Sequence, residues 1–380
     1  MTIPRYIFVD DTAGPESDGE RYRNLLNKEG ELRVDLVWPD RATLLVAESD
    51  LEAGIDGYIL DINLRDQVDE KGQRFLGTGA GLAQDLRLLQ ALGPSQGQKA
   101  RPVVRLCAAQ VFQDYLAGDN STADIFDLGF DKETIGDIAP VARAKLAALP
   151  ELYVAVQGAG DDPKAVLTIL GIDAKQYEQL HSRFRAELET ELTRKPHEAV
   201  SFIIRQLLEV PGLLISEELL AIRLGVDKAR SEGWERLKAY FDPARYVGVA
   251  GRGFDRWWVD LLLFQWAQLG TQSLFKLSAD QRVTALNAAG FDKLAVLAST
   301  KESPGDRPWL LSLSDDPALR LPADPQYALT LSTPVSPWVD EPVWCLEQAK
   351  RNRKSPLLPQ DARDRLRTVL SDAGREISKT

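Results

Sequence analysis

Residues 5–11 read RYIFVDD and residues 57–64 read GYILDINL. Each is a short apolar run that stops abruptly at aspartate. A run without apolar–polar alternation is the pattern of a strand buried on both faces, and sheets of that kind are parallel and covered by helices. Two such runs, each delivering carboxylates at its end, set the expectation for everything around them.

Working outward, a helix is predicted over Gly19–Lys28 and a strand over Leu32–Trp38. A second helix is predicted over Ala42–Ala53, with Leu44, Leu45, Ala47 and Leu51 on one face. A polar loop, Arg65–Thr78, leads to a helix over Gly79–Leu92, whose residues Leu82, Ala83, Leu86, Leu89 and Leu92 follow the 3.6-residue period. Pro102–Leu106 (PVVRL) and Ile125–Phe130 supply a fourth and fifth strand. Strands alternating with helices imply a doubly wound, flavodoxin-like α/β sheet of five parallel strands. Such sheets bind ligands beyond the carboxyl ends of their strands. Here those ends carry Asp10, Asp11, Asp61, Cys107 and Lys132.

That set of residues has a chemistry. An aspartate carboxylate is a competent nucleophile toward phosphorus, and the acyl phosphate it forms is labile. Mg²⁺ binds through one or two carboxylates plus phosphate and water, and a lysine can hold the transferred oxygens. The segments YIFVDD, GYILDINL, RPVVRLCAA and IFDLGFDKE, in this order and spacing, resemble the four signature segments of response-regulator receiver domains. The resemblance implies that Asp10 and Asp11 hold Mg²⁺ and that Asp61 is the phosphoacceptor and a further ligand. It also implies that Asn63 gives its backbone carbonyl to the metal and that Lys132 pairs with the phosphoryl group. A histidine kinase is the implied donor. The chain departs from the pattern at three places. Cys107 stands where serine or threonine is usual, and a thiol is a weaker hydrogen-bond donor. The loop after Asp61 is extended by RDQVDEKGQRFLGTG, a long-loop variant, and Glu133 replaces the usual proline after Lys132. The glycines of Gly77–Gly81 (GTGAG) follow no strand and lack a P-loop lysine, so they read as loop rather than phosphate cradle.

Residues 1–150 are therefore assigned to a receiver domain, 163–300 to a mainly α-helical domain and 301–380 to a Pro-rich subdomain or wrap. Val156–Pro163 (VQGAGDDP) is the hinge candidate between the first two. Helices are predicted over Tyr177–Thr193, Ala199–Leu208, Glu217–Leu224, Arg230–Tyr240, Arg256–Leu269 and Ala279–Ala288. Within 213–260 the order helix, turn, helix and VGVAGRGFDRWW fits a winged helix with Gly251 and Gly253 at the tip of its wing. Arg223–Arg256 holds eight Lys/Arg against five Asp/Glu, which makes DNA contact through Arg230, Arg236 and Arg252 the alternative output. This C-terminal region resembles no family we recognise. Trp257–Trp258 reads as core, and His181 and His197 have no partner at metal-ligand spacing.

Composition narrows the function classes. A net charge of −11 and a pI near 5.0 disfavour nonspecific binding to polyanions. Two distant cysteines exclude a disulfide framework and point to a reducing cytoplasm. No apolar run reaches the ~20 residues of a membrane span, and no hydrolase or P-loop motif occurs. The expectation is a cytoplasmic two-component signal transduction protein. Its receiver would take a phosphoryl group on Asp61 and relay the change through a downstream protein effector or a homodimer. DNA is possible as a target but not favoured, and no membrane partner is expected. The rivals are a winged-helix transcriptional regulator, a degenerate receiver that serves as a docking platform, and an enzyme effector of unknown type.

Overall fold

A computed structural model of the chain describes residues 3–12, 16–39, 54–64, 77–91, 99–108, 111, 125–160, 162–270, 272–314 and 319–377. The helix expected at Ala42–Ala53 and all of the Arg65–Thr78 loop but Gly77 and Thr78 lie outside these residues. Five strands form one sheet: β1 (Arg5–Val9), β2 (Arg33–Val37), β3 (Gly57–Leu60), β4 (Val103–Cys107) and β5 (Leu128–Asp131). Their spatial order is β2-β1-β3-β4-β5, and every neighbouring pair is parallel. This is an α/β architecture, flavodoxin-like in kind. Because β2 lies on one side of β1 and β3 on the other, the order reverses between β1 and β3. That is the switch point where such sheets leave a crevice at their carboxyl edge.

The helices keep this edge in place. Helix α1 (Asp18–Leu26) starts at Ser17, whose hydroxyl accepts the Glu20 N–H, and buries Tyr22 and Leu26. Helix α2 (Gly79–Ala91) buries Leu82, Ala83 and Leu86 against Tyr58, Leu60 and Val103. Helix α3 runs over Ile135–Ala159, past residue 150, where the first domain was expected to end. Leu149, Leu152, Tyr153, Val156 and Ala159 extend its buried stripe, and that burial carries the helix through Pro150. The expected hinge at Val156–Pro163 is thus partly the last turn of α3, ended by Gly160 at φ +49°. The fifth strand begins at Leu128 rather than Ile125, because Asp127 turns its carboxylate inward to accept the Val103 N–H at 2.8 Å.

The chain separates into two compact units, Met1–Arg205 with Val247–Phe254, and Gln206–Tyr246 with Asp255–Thr380. The first adds helices α4 (Pro163–Leu170), α5 (Ala174–Gln179), α6 (Ser182–Leu192) and α7 (Pro196–Ile203). The single helix expected over Tyr177–Thr193 is therefore two, broken where Leu180 turns to extended backbone. In the second unit, strand β6 (Leu214–Ser216) precedes α8 (Glu217–Leu224) and α9 (Trp234–Tyr240), and strand β7 (Arg256–Trp258) pairs antiparallel with β6. Arg245 bridges to Trp257 on the other edge of β7. Arg256–Trp258 was expected as helix, but these ladder bonds hold it extended, and α10 begins at Val259. Trp257 and Trp258 are buried, and Trp257 packs with Trp234, Trp266, Phe241 and Leu262 in the unit's core.

Gly251 and Gly253, expected at a hairpin tip, form instead a single 3₁₀ turn, Gly251–Gly253. The reason is close packing within the first unit. Gly253 lies against Ala144 and Ala148 of α3, and the Arg252 guanidinium donates to the Ala147 carbonyl and pairs with Glu151 at 3.1 Å. No described helix is long and apolar enough to cross a membrane.

A candidate metal site at the carboxyl edge of the sheet

Asp10 follows β1 and Asp61 follows β3, so the two aspartates stand side by side at the switch point. The parallel ladder fixes them there: the Asp61 N–H donates to the Val9 carbonyl at 3.0 Å, and the Asp10 N–H donates to Val37 at 3.3 Å. Asp10 is 0% exposed, Asp11 3% and Asp61 7%. Each offers a carboxylate oxygen, and these atoms lie within 4.8 Å of one another. Lys132, one residue beyond β5, reaches across the strand ends. Its ammonium is 2.8 Å from Asp10 Oδ2 and 2.8 Å from Asp61 Oδ2, and it sits 5.3 Å from the Tyr22 ring centroid.

Burial sets the electrostatics. It pushes the Asp61 carboxyl up to about 6, with Asp10 adding to the rise; Lys132 and the Asn63 backbone N–H pull the other way. Burial also works against the charge of Lys132, but Asp61 and Asp10 outweigh it and hold the ammonium above its ordinary value. When all three carboxylates ionise, one ammonium cannot balance them, and two negative charges remain. An all-oxygen donor set with that surplus suits a hard divalent cation. The residues therefore fit a metal ion by charge and by donor type.

Three neighbours that were assigned no part in the site from sequence shape it. Thr12 donates its hydroxyl and its backbone N–H to Asp10 Oδ1, the latter at 2.8 Å, and its Oγ1 accepts the Gly19 N–H at 2.9 Å. A Ser or Thr two residues after a strand-end aspartate is the one sequence signal that pointed to this turn. Gly79, the first residue of α2, donates to the Ile62 carbonyl at 3.0 Å. A Cβ at Gly79 would collide with the Asp61 carbonyl, so only glycine lets α2 approach the end of β3 this closely. The third is Arg105 on β4, whose Nη1 lies 3.5 Å from Cys107 Sγ.

Of the residues expected here, Asp10, Asp11, Asp61 and Lys132 converge. Asn63 touches Asp61 through its N–H, and Cys107, 1% exposed, ends β4, its carbonyl accepting the Lys132 N–H at 3.2 Å. Burial raises the Cys107 thiol above its usual range, with Arg105 opposing. At the opposite edge of the sheet, a buried ionic network was not foreseen. Arg87 of α2 pairs with Asp127 at 2.9 Å, and both bond the Tyr153 hydroxyl of α3. Outside residues 1–150, a cleft of about 520 Å³ is lined by Val166, Leu167, Tyr177, Glu178 and Glu189. Glu178 and Glu189 are exposed, and the Tyr177 hydroxyl donates to Glu189 at 2.7 Å.

No family model matches this chain, and no curated protein matches it.

Proposed function

We propose that this chain is a two-component-type signal transduction protein whose receiver takes a phosphoryl group on Asp61 from a histidine kinase. The observation that carries the reading is the set of three buried carboxylates at the β1 and β3 ends, two of which, Asp10 and Asp61, are bridged by Lys132 from the β5 end. Mg²⁺ would be held by Asp10, Asp11, Asp61 and the Asn63 carbonyl, where it would neutralise the repulsion between carboxylate and phosphoryl oxygens. Asp61 supplies the nucleophilic oxygen. A P–O bond forms to Asp61 as the P–N bond to the donor histidine breaks, and the nitrogen keeps the electron pair and takes up a proton. Lys132, already paired to Asp61, can follow the charge from the carboxylate onto the transferred oxygens. Such positioning and charge stabilisation are most of what phosphoryl transfer asks of a protein. In this reading, residues 150–380 pass the change on through protein contacts.

The test is incorporation from a small phosphodonor such as acetyl phosphate, with and without Mg²⁺. Wild type should label only with Mg²⁺, and Asp61→Asn should not label. A wild type that never labels would favour a docking platform that has lost transfer chemistry.

A DNA-binding regulator is the second reading, supported by the order β6, α8, α9, β7 with Arg245 bridging β7. Two of its three candidate contacts are already engaged, Arg252 with Ala147 and Glu151, and Arg236 with Asp292 at 3.4 Å. Binding to duplex DNA that falls steeply with salt would favour it over the protein-contact output.

A further inference from the structure

Helix α5 buries none of its residues in the core of its unit. Its Tyr177 lines instead the cleft of about 520 Å³, whose apolar wall is supplied mainly by Val166 and Leu167 of α4 and Leu192 of α6. The fold braces this opening. Leu180, buried and extended, separates α5 from α6, and the Tyr177 hydroxyl donates across the break to Glu189 at 2.7 Å. Arg185 lies over the Tyr177 ring, 5.6 Å from its centroid, so the ring is held through its hydroxyl and one face. Burial and Glu189 keep the Tyr177 hydroxyl above its ordinary pKa, so it stays a donor. Every charged residue among the described lining is acidic: Asp162, Glu178 and Glu189. Asp162 is committed to capping α4, its Oδ1 accepting the Lys164 N–H at 2.9 Å. Glu178, exposed at the rim, has no partner among the described residues. An apolar cavity of this size with a few polar groups at one side is the form that small-molecule sites take.

We propose that this cleft binds a small organic cation, an amine carried on an aliphatic or aromatic body. The body covers Val166, Leu167 and Leu192, which removes apolar surface from water, and the ammonium donates to Glu178 and Glu189. Charge decides against the other classes of small ligand. An anion would meet three carboxylates with no cation in the lining. A bare metal ion would leave the apolar wall uncovered, and these carboxylates do not converge as Asp10, Asp11 and Asp61 do. A neutral molecule would gain nothing from Glu178, whereas a protonated amine forms charge-assisted bonds to a carboxylate. Such a ligand would sit in the unit that carries the sheet, and its binding needs no phosphoryl chemistry at Asp61.

The test titrates tryptamine, phenethylamine and octylamine into the full chain at neutral pH by calorimetry, each beside the neutral alcohol of the same skeleton. At least one amine should bind, and about tenfold more tightly than its alcohol, the worth of one hydrogen bond to a charged group. Glu178→Gln and Glu189→Gln combined should erase that preference without changing the affinity for the alcohol. Glutamine keeps the side-chain length and can still accept the Tyr177 hydroxyl, so the thermal midpoint without ligand should stay at the wild-type value. Leu167→Trp, which fills the apolar wall, should weaken amine and alcohol alike. Asp61→Asn should bind the amine as wild type does, which separates the cleft from the strand-end carboxylates. The proposal is overturned if none of the amines binds, or if they bind no better than their alcohols. Loss of amine binding in Asp61→Asn, with the paired glutamate variant unaffected, would overturn it as well.

Discussion

Replacing Asp61 by asparagine should make the metal-free protein more stable at neutral pH. The Asp61 carboxyl is raised from 3.8 to about 6 by burial, roughly two units at about 1.4 kcal/mol each. Ionised Asp61 therefore costs the folded state about 3 kcal/mol at pH 7, even after the attraction of Lys132 is counted. A carboxyl raised in the folded state holds its proton more tightly there than in the unfolded chain. The stability this confers is complete below about pH 4 and is lost as pH climbs from about 4 to about 6. Asparagine removes the penalty and leaves Lys132 paired with Asp10 at 2.8 Å, so no buried ammonium is stranded. The expected gain is on the order of 1–3 kcal/mol at pH 7, shrinking toward pH 4. A divalent cation should act in the opposite sense, because it competes with protons for the carboxylates. Mg²⁺ should stabilise wild type more at pH 7 than at pH 5 and Asp61→Asn little at either. Urea denaturation across that pH range, with chelator or with Mg²⁺, measures both effects. A stability difference between Asp61→Asn and wild type that is the same at pH 4 and pH 7 would show that ionised Asp61 carries no burial penalty, and a Mg²⁺ effect independent of pH would show that the ion does not compete with its proton.

Lys132→Ala should strip the three carboxylates of their cation and destabilise the metal-free protein by about 3–5 kcal/mol; denaturation in Mg²⁺ should recover much of the loss. Gly79→Ala sets a methyl group against the Asp61 carbonyl, so α2 must shift; calorimetry should show weakened Mg²⁺ binding together with a lower thermal midpoint. Arg87→Leu leaves Asp127 buried without its cation and should cost about 3–5 kcal/mol, with Mg²⁺ affinity unchanged because the network lies at the far edge of the sheet.

The sheet and the acidic cluster were legible because they rest on local patterns. An apolar run of strand length followed by aspartate shows the strand, its end and the ligand in one glance, and β1 and β3 fall within a residue of where those runs put them. What the sequence hid depends on distant partners. Arg87 looks like a surface residue of an amphipathic helix, and only Asp127 and Tyr153, 40 and 66 residues away, make it core. Arg105 reads as noise inside PVVRL until Gly129 is seen beside it. The extended start of Arg256–Leu269 follows from pairing with β6, which overrides a helical pattern. Helix α3 runs on through Pro150 because the buried stripe beyond it outweighs the missing hydrogen bond.

The residue that takes the phosphoryl group can be located chemically. Treating the acetyl phosphate- and Mg²⁺-exposed chain with borohydride converts an aspartyl phosphate to homoserine, and peptide mass spectrometry then locates it. The expected result is homoserine at position 61 in wild type and at no position in the Asp61→Asn protein. Homoserine at Asp10 or Asp11, or at no residue of a folded wild type that binds Mg²⁺, would contradict it.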